Sequence, residues 1–134
     1  MAQENPRPTP LDPVWDRIKE DALQAIADEP LIGGMVHATV LHHGSLESAL
    51  AYRFAFKLSS SEMTGQLLRE ISEEAYATDK TLGEAARADL VAIFERDPAC
   101  HRLMQPLLFF KGFQAVQAYR IGHWLWTQGR KDLA

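Results

Sequence analysis

Histidine is the side chain in this sequence best suited to metal binding, but its spacing argues against a metal site. Three of the five histidines crowd into one short segment, as His37, His42 and His43. Two metal ligands on one helical face need a spacing of about three or four residues. These histidines are instead separated by five residues and by one. We therefore expect no metal site, and we interpret the segment as a partly exposed helix end.

The other histidines and the single cysteine also lack the surroundings of a catalytic group. No nucleophile lies near His101 or His123 in the sequence, and His123 beside Trp124 is expected to be a hydrogen-bonded packing residue. Positive charge from Arg102 would favour a Cys100 thiolate, but no cysteine-protease motif surrounds it. We expect an inert thiol at Cys100, and the sequence alone assigns no catalytic role to His101 or His123.

A carboxylate followed by proline is the remaining candidate, in the turn Glu95-Arg96-Asp97-Pro98-Ala99. Residues 1–97 hold seventeen acidic and nine basic side chains, whereas residues 98–134 hold five basic and one acidic. Asp97 thus lies where the acidic part meets the basic part. A carboxylate held in a turn can bind an ammonium group or orient a hydroxyl. Alternatively, Asp97-Pro98 only ends a helix, and periodicity alone leaves both interpretations open.

The start of the chain is rich in proline, at Pro6, Pro8, Pro10 and Pro13. Proline blocks helix interiors and removes strand donors, so we predict a disordered tail over residues 1–11. Pro13 is suited to a first helical position, with Asp12 as the N-cap. The folded domain is therefore expected over residues 12–134.

Hydrophobic residues recur at helical spacing throughout that domain. The first predicted helix covers residues 13–28, and after Glu29-Pro30 a second helical segment covers residues 31–42. A third helix is predicted to begin after an N-cap at Ser45, and a fourth has an apolar stripe that begins at Met63. A fifth begins with a capping box at Thr81–Glu84. No strand-like alternation occurs across the chain. The predicted fold class is all-α, a compact bundle of about six to eight helices.

The segment from Phe109 to Trp126 is predicted to be a helix that is apolar nearly all round. It holds six of the twelve aromatic residues of the chain. A small bundle cannot cover such a helix on every side. We therefore expect part of this surface to contact another domain or another subunit.

Composition excludes several other classes of function. The net charge of −4 and the absence of a basic cluster argue against nucleic-acid binding. No apolar run approaches the ~18 residues of a membrane span, and no signal peptide is recognisable. One cysteine cannot form an internal disulfide, so we expect a cytoplasmic protein. Gly33-Gly34 does not match a phosphate-binding loop.

Several short blocks in this sequence resemble, in order and spacing, the N-terminal α-helical domain of bacterial serine O-acetyltransferase. They are Pro30-Leu31, His37-Ala38-Thr39, Lys57-Leu58-Ser59-Ser60, Glu73-Glu74-Ala75-Tyr76-Ala77, Arg96-Asp97-Pro98-Ala99 and residues 111–126, KGFQAVQAYRIGHWLW. The last block is the most specific of them. The resemblance covers about residues 13–134.

The resemblance implies a function for the longer protein. That family transfers acetyl from acetyl-CoA to L-serine in cysteine biosynthesis and is inhibited by L-cysteine. Its catalytic histidine and acetyl-CoA groove belong to a left-handed β-helix of hexapeptide repeats, and no such repeat occurs in this chain. The chain therefore looks truncated before that domain and is expected to be inactive alone. The only substrate-binding residues implied here are Asp97 and Pro98.

The resemblance also implies partners. In that family the helical domain assembles trimers into a hexamer, and the C-terminal part binds O-acetylserine sulfhydrylase. The alternative is a stand-alone helical interaction module without catalytic activity. A coding region that continues past Ala134 into hexapeptide repeats would distinguish the enzyme from the module.

Overall fold

In the computed structural model, residues 11–134 are described, and their regular structure is entirely helical, as predicted. The predicted tail at residues 1–11 lies outside this range except for Leu11, which is exposed. The helices are α1 Pro13–Asp28, α2 Gly33–Val36, α3 Leu46–Leu58, α4 Gly65–Thr78, α5 Lys80–Arg96, α6 Gln105–Phe109 and α7 Lys111–Thr127. A 3-10 turn, Pro30–Ile32, precedes α2, and a π-helical turn, His37–Leu41, follows it. These helices form one bundle around a common core.

Two predicted N-caps are confirmed and explain where α1 and α3 begin. Asp12 Oδ1 accepts a hydrogen bond from the Trp15 N–H at 3.1 Å. Ser45 Oγ accepts one from the Ser48 N–H, also at 3.1 Å. Both bonds satisfy donors that the first helical turn leaves without a partner.

The predicted starts of α4 and α5 are wrong by a few residues. Met63 precedes α4 and lies in a tight turn, where its N–H donates to Ser60 Oγ at 3.0 Å, and Thr64 is the N-cap. The N-cap of α5 is Asp79 rather than Thr81, because Asp79 Oδ1 accepts from both the N–H and the hydroxyl of Thr81. The Asp79 N–H also donates to Ala75 O, so one residue ends α4 and starts α5.

The predicted single helix from Phe109 to Trp126 is also wrong, since Phe110 interrupts it with an extended backbone. In a continuous helix the carbonyls of Leu107 and Leu108 would accept from backbone N–H groups four residues later. Side chains take those places: Gln114 Nε2 donates to Leu107 O at 2.9 Å, and Arg53 Nη2 donates to Leu108 O at 2.6 Å. Side chains therefore satisfy the carbonyls that the break between α6 and α7 leaves without backbone donors.

The core is built from one apolar face of each long helix. Ile18 of α1, Leu50 of α3, Leu90 of α5 and Leu107 of α6 are completely buried. The C-terminal helix contributes only part of its surface: Phe113 and Ile121 are buried, whereas the apolar side chains Val116, Tyr119 and Trp126 are 45%, 71% and 53% exposed. The prediction that this bundle cannot cover the aromatic segment on every side is therefore confirmed.

A three-residue ion cluster joins the start of α1 and the first turn of α3 to the middle of α5. Arg87 of α5 donates to Asp12 Oδ2 at 2.6 Å and to Glu47 Oε1 at 2.5 Å. Asp12 is the N-cap of α1 and Glu47 lies in the first turn of α3. The side chains are only 23% to 29% exposed. The two carboxylates hold the pKa of Arg87 above its ordinary range, so the guanidinium stays charged.

The approach of the Glu47 carboxylate to the α5 backbone at this cluster is favoured by a glycine. A Cβ placed on Gly83 would lie 2.3 Å from Glu47 Oε1 and 3.0 Å from Arg87 Nη1. The hydrogen atom of Gly83 leaves room for the two charged side chains to meet.

Replacing Arg87 by alanine should destabilise the fold. The substitution leaves two partly buried carboxylates close together without a counter-ion. We expect the free energy of unfolding to fall by about 2 kcal/mol. Urea denaturation of Arg87→Ala and of the parent chain measures this difference.

The matched control is Arg69→Ala, which removes an exposed pair with Glu73, whose side chains are 45% and 49% exposed. It should cost about 0.5 kcal/mol or less, and equal losses in the two variants would contradict the proposed importance of the cluster.

Acid supplies a second check on the Arg87→Ala prediction. Hydrogen bonds from Arg87 lower the pKa of Asp12 below 3.8. Burial acts to raise the pKa of Glu47, but the Arg87 contacts prevail and hold it below 4.5. Because both pKa values are depressed, the stabilisation is complete above ~pH 5 and is lost as pH falls through the folded-state values. The difference between Arg87→Ala and the parent should shrink from about pH 6 to about pH 3.

Candidate functional site

The turn that ends α5 holds both predicted binding residues, Asp97 and Pro98, at the surface. The Asp97 N–H donates to Ile93 O at 2.8 Å, which closes the last turn of the helix. Pro98 cannot continue the helix because it lacks an N–H. The helix-terminating role of this dipeptide is therefore confirmed, and it does not exclude a binding role.

The Asp97 side chain is held by its own turn. Its Oδ1 accepts from the Ala99 N–H at 2.9 Å, and its backbone carbonyl accepts from the Cys100 N–H at 3.0 Å. Its Oδ2 accepts no hydrogen bond from residues 11–134. One carboxylate oxygen thus fixes the orientation while the other is available to an external donor, such as an ammonium or hydroxyl group.

The segment that follows is anchored to α1 by a buried carboxylate. Asp21 is only 9% exposed, and its Oδ2 accepts from the Leu103 N–H at 2.7 Å. Arg102 reaches the end of the same helix, with Nη2 2.5 Å from Asp28 Oδ2. The Gln105 side chain accepts from the Arg102 N–H at 2.8 Å. The backbone after Asp97 is therefore fixed against the body of the domain.

Sequence reasoning missed Asp21 as part of this arrangement, although a signal was present. Asp21 lies between Ile18, Ala22 and Ala25 on the buried stripe of α1. A carboxylate is rarely buried without a partner. An acidic residue on the apolar face of a helix therefore indicates donors nearby or elsewhere. Here they are Arg17, one turn earlier, and a backbone amide about eighty residues later in the chain.

Cys100 follows the turn and faces the interior. It is 7% exposed, and burial raises the pKa of its thiol, with the nearby charges of Asp97 and Asp21 adding to the effect. A raised pKa disfavours the nucleophilic thiolate. These surroundings fit the predicted inert thiol.

The histidines do not gather into one site. His37 and His42 are exposed and line a shallow pocket of about 610 Å³ with Tyr52. His43 is the buried member of this partly exposed helix end: its Nε2 lies 2.9 Å from Ala38 O and its Nδ1 lies 2.9 Å from Ser48 Oγ. Burial lowers the pKa of His43, which favours a neutral ring whose Nε2–H donates to that carbonyl.

The prediction for His123 is wrong, and His101 stays without an assigned role. His123 is exposed, and its ring stacks on Tyr119 with centroids 6.1 Å apart rather than packing in the core. Residues three and four apart share a helix face, which explains this pairing. No group of three or more His, Cys, Asp or Glu side chains within residues 11–134 is placed to hold a metal ion.

None of the helices in the described part of the chain is long and apolar enough to cross a membrane.

Comparison with known proteins places these features in a family. Escherichia coli (strain K12) serine acetyltransferase is 49% identical over 124 residues, covering 92% of this chain and 45% of that protein. The chain thus spans about half the length of the curated relatives it matches. Neisseria gonorrhoeae serine acetyltransferase, solved in complex with serine, superposes with a TM-score of 0.85 at 46% identity over 92% of this chain and 51% of that one.

A further structure, a serine acetyltransferase in complex with CoA, gives a TM-score of 0.86 at 42% identity and covers 90% of this chain and 51% of that one. The family described as serine acetyltransferase, N-terminal, matches residues 14–118, a range that includes α1 to α6 and the Asp97 turn. With this match and the near-complete superposition of its helices, the chain belongs to the N-terminal serine acetyltransferase family.

Proposed function

We propose that this chain is the N-terminal helical part of a serine O-acetyltransferase, which makes O-acetyl-L-serine from L-serine and acetyl-CoA in the cytoplasm. In this proposal the helical part has two tasks. It supplies the Asp97 turn to the serine site, and it provides the surface through which subunits assemble. The observation that carries the proposal is the exposed Asp97 carboxylate in a turn fixed against α1.

The chemistry assigned to Asp97 is recognition of serine. Its Oδ2 accepts a charge-assisted hydrogen bond from the serine ammonium or a hydrogen bond from the hydroxyl. Because Oδ1 is already bonded to Ala99, the carboxylate keeps its orientation before the substrate arrives. A group placed in advance loses less freedom on binding, which favours both affinity and orientation of the reacting hydroxyl.

The acetyl transfer itself belongs to the remaining half of the protein. There, a general base takes the proton of the serine hydroxyl, the serine oxygen attacks the thioester carbonyl of acetyl-CoA, and CoA leaves as the thiol. We place the acetyl-CoA site, and the contact with O-acetylserine sulfhydrylase, in that half. L-cysteine is expected to compete with serine for Asp97. Assembly as a dimer of trimers is part of the same proposal.

The stand-alone interaction module remains as a second hypothesis with a simple test. Sequencing the coding region beyond Ala134 reveals either hexapeptide repeats, which support the enzyme, or a stop codon, which supports the module. The family membership of the chain favours the enzyme.

Changing Asp97 should affect serine alone. In the longer enzyme we expect Asp97→Ala to raise the KM for serine by roughly 10-fold or more and to weaken inhibition by cysteine. The KM for acetyl-CoA should not change, because that substrate binds elsewhere. Steady-state kinetics with both substrates varied measures these three quantities.

Two control variants separate charge from turn structure in the Asp97 experiment. Asp97→Asn keeps an oxygen that can accept from the Ala99 N–H but removes the negative charge, so it should resemble Asp97→Ala in serine KM while melting like the parent. Glu95→Ala removes an exposed carboxylate two residues away and should change neither the KM for serine nor the melting temperature. A normal serine KM in both Asp97 variants would refute the assignment.

The 134-residue chain alone should show no acetyltransferase turnover. General-base catalysis requires a base within hydrogen-bond reach of the substrate hydroxyl, and in our proposal that base is supplied by the other half. Release of CoA thiol from acetyl-CoA, with and without serine, measures the activity. Release that depends on both serine and the chain would show that a histidine of this domain acts as the base.

The chain should self-associate through the exposed face of α7. Val116, Tyr119 and Trp126 lie on that face, and burying one aromatic side chain contributes roughly 1.5 to 3 kcal/mol. Light scattering at a chain concentration of tens of micromolar should give a mass above that of the monomer. Tyr119→Glu should reduce this measured mass. Leu31→Glu, at another strongly exposed apolar residue, is the control. A monomeric parent chain would contradict the assembly role.

A further inference from the structure

Arg53 of α3 is a buried cation that meets no counter-ion in the part of the chain that the structure describes. The residue is 6% exposed, and its Nη2 donates to the carbonyl of Leu108 at 2.6 Å. Its Nε is buried and has no hydrogen-bond partner among residues 11–134. No ion pair formed among residues 11–134 includes Arg53. Burial lowers the pKa of its guanidinium, and no carboxylate acts against that effect. A buried charge in this state costs free energy that a bound anion would recover.

Arg53 lines a pocket between α3 and the start of α7, and two more cations line it. The pocket has a volume of about 230 Å³ and includes Lys57 and Lys111. Neither lysine forms an ion pair with residues 11–134. Arg53 and Lys57 are four residues apart on one helix face, where like charges repel. The pocket lining carries three positive charges and no acidic side chain.

The helix end at this pocket adds a further positive field. The N-cap of α7, Phe110, makes no side-chain capping bond, so the first amide groups of the helix, at Lys111 and Gly112, lack the usual acceptor. The N-terminus of a helix carries a partial positive charge, and a lysine there is unfavourable unless an anion is nearby. Lys111 at the first position of α7 therefore indicates a bound anion at this pocket, as Arg53 does.

The rest of the pocket is apolar and limits the size of the ligand. Phe54, Leu58 and Ala118 form part of the wall. At about 30 Å³ for each water molecule, the volume corresponds to roughly eight waters. A ligand that fits combines one anionic group, placed near Arg53, with a small apolar body against these side chains.

We propose that this pocket between α3 and α7 binds a small organic carboxylate. The carboxylate accepts hydrogen bonds from Arg53 and from the first amides of α7, while Lys57 and Lys111 contribute charge at the rim. The pocket shares no residue with the Asp97 turn, so this site does not rest on the proposed acetyltransferase function. An inorganic anion such as phosphate matches the charge but leaves the apolar wall unfilled.

Titration with benzoate tests the proposal, using the 134-residue chain labelled with ¹⁵N at low salt. We expect saturable shifts of the Lys111 and Gly112 amide signals with a dissociation constant of about 1 mM or lower. Benzamide, which has the same shape without the charge, should bind at least ~10-fold more weakly. Inorganic phosphate should also bind more weakly, because it buries no apolar surface.

Substitutions separate this pocket from general attraction to positive charge. We expect Lys57→Gln and Lys111→Gln each to lower the affinity for benzoate roughly 3-fold, as for partly exposed charges. Arg53→Met should lower that affinity at least ~10-fold. Lys80→Gln is the matched control, since Lys80 is the first residue of α5 as Lys111 is of α7. It should leave the affinity for benzoate unchanged.

Several results would overturn the proposal. They are equal affinity for benzoate and benzamide, tighter binding of phosphate than of benzoate, equal effects of Lys80→Gln and Lys111→Gln, or shifts confined to amides outside the pocket. If Arg53→Met does not fold, the double variant Lys57→Gln and Lys111→Gln decides. This double variant should lower the affinity for benzoate roughly 9-fold if the two lysines act independently. An unchanged affinity would exclude the site.

Discussion

The bridge from Arg87 to Asp12 and Glu47 is the interaction on which the arrangement of this domain depends. It joins the start of α1, the first turn of α3 and the middle of α5, which are far apart in sequence. In its observed geometry the bridge uses the space at Gly83, where a Cβ would lie 2.3 Å from Glu47 Oε1. Hydrophobic burial holds the helices together but is not directional. Paired charges, in contrast, fix which helix ends meet.

Helix α1 connects the Arg87 bridge to the segment that follows the Asp97 turn. Its N-cap is tied to α5 through Arg87, and its second half receives the Leu103 amide and the Arg102 guanidinium at Asp21 and Asp28. The same helix therefore contacts both α5 and the segment that leaves α5. A carboxylate at Asp97 can be exposed and still be well placed, because its backbone is anchored on both sides.

Local signals in the sequence were sufficient to predict most helices, but not the contacts found where a helix is interrupted or where its first residue differs from the predicted one. The caps at Asp12 and Ser45 depend on neighbouring residues and were predicted. At the break at Phe110 the Leu108 carbonyl accepts from Arg53, more than fifty residues earlier in the chain, and no local pattern contains that contact. The Asp97-Pro98 turn was predicted, whereas its anchor at Asp21 required the partner amide to be known. That His43 is the buried member of its helix end was not predicted, because a π-helical turn differs little in sequence from an α-helical one.

Two arginines, one partly buried and one buried, show why the location of a charge matters more than the net charge of the chain. Arg87 is met by two carboxylates from other helices, and its field is neutralised within the domain. Arg53 is more deeply buried, and within residues 11–134 it is met by the Leu108 carbonyl and, 5.9 Å from its guanidinium carbon, by the ring of Phe56, but by no carboxylate. Lys111, rather than an acidic residue, is what α7 brings to the same pocket. A carbonyl dipole offsets a full charge incompletely. The pocket between α3 and α7 is therefore lined by three basic side chains and no acidic one although the chain as a whole is acidic, and this is the basis of the anion site that we propose there.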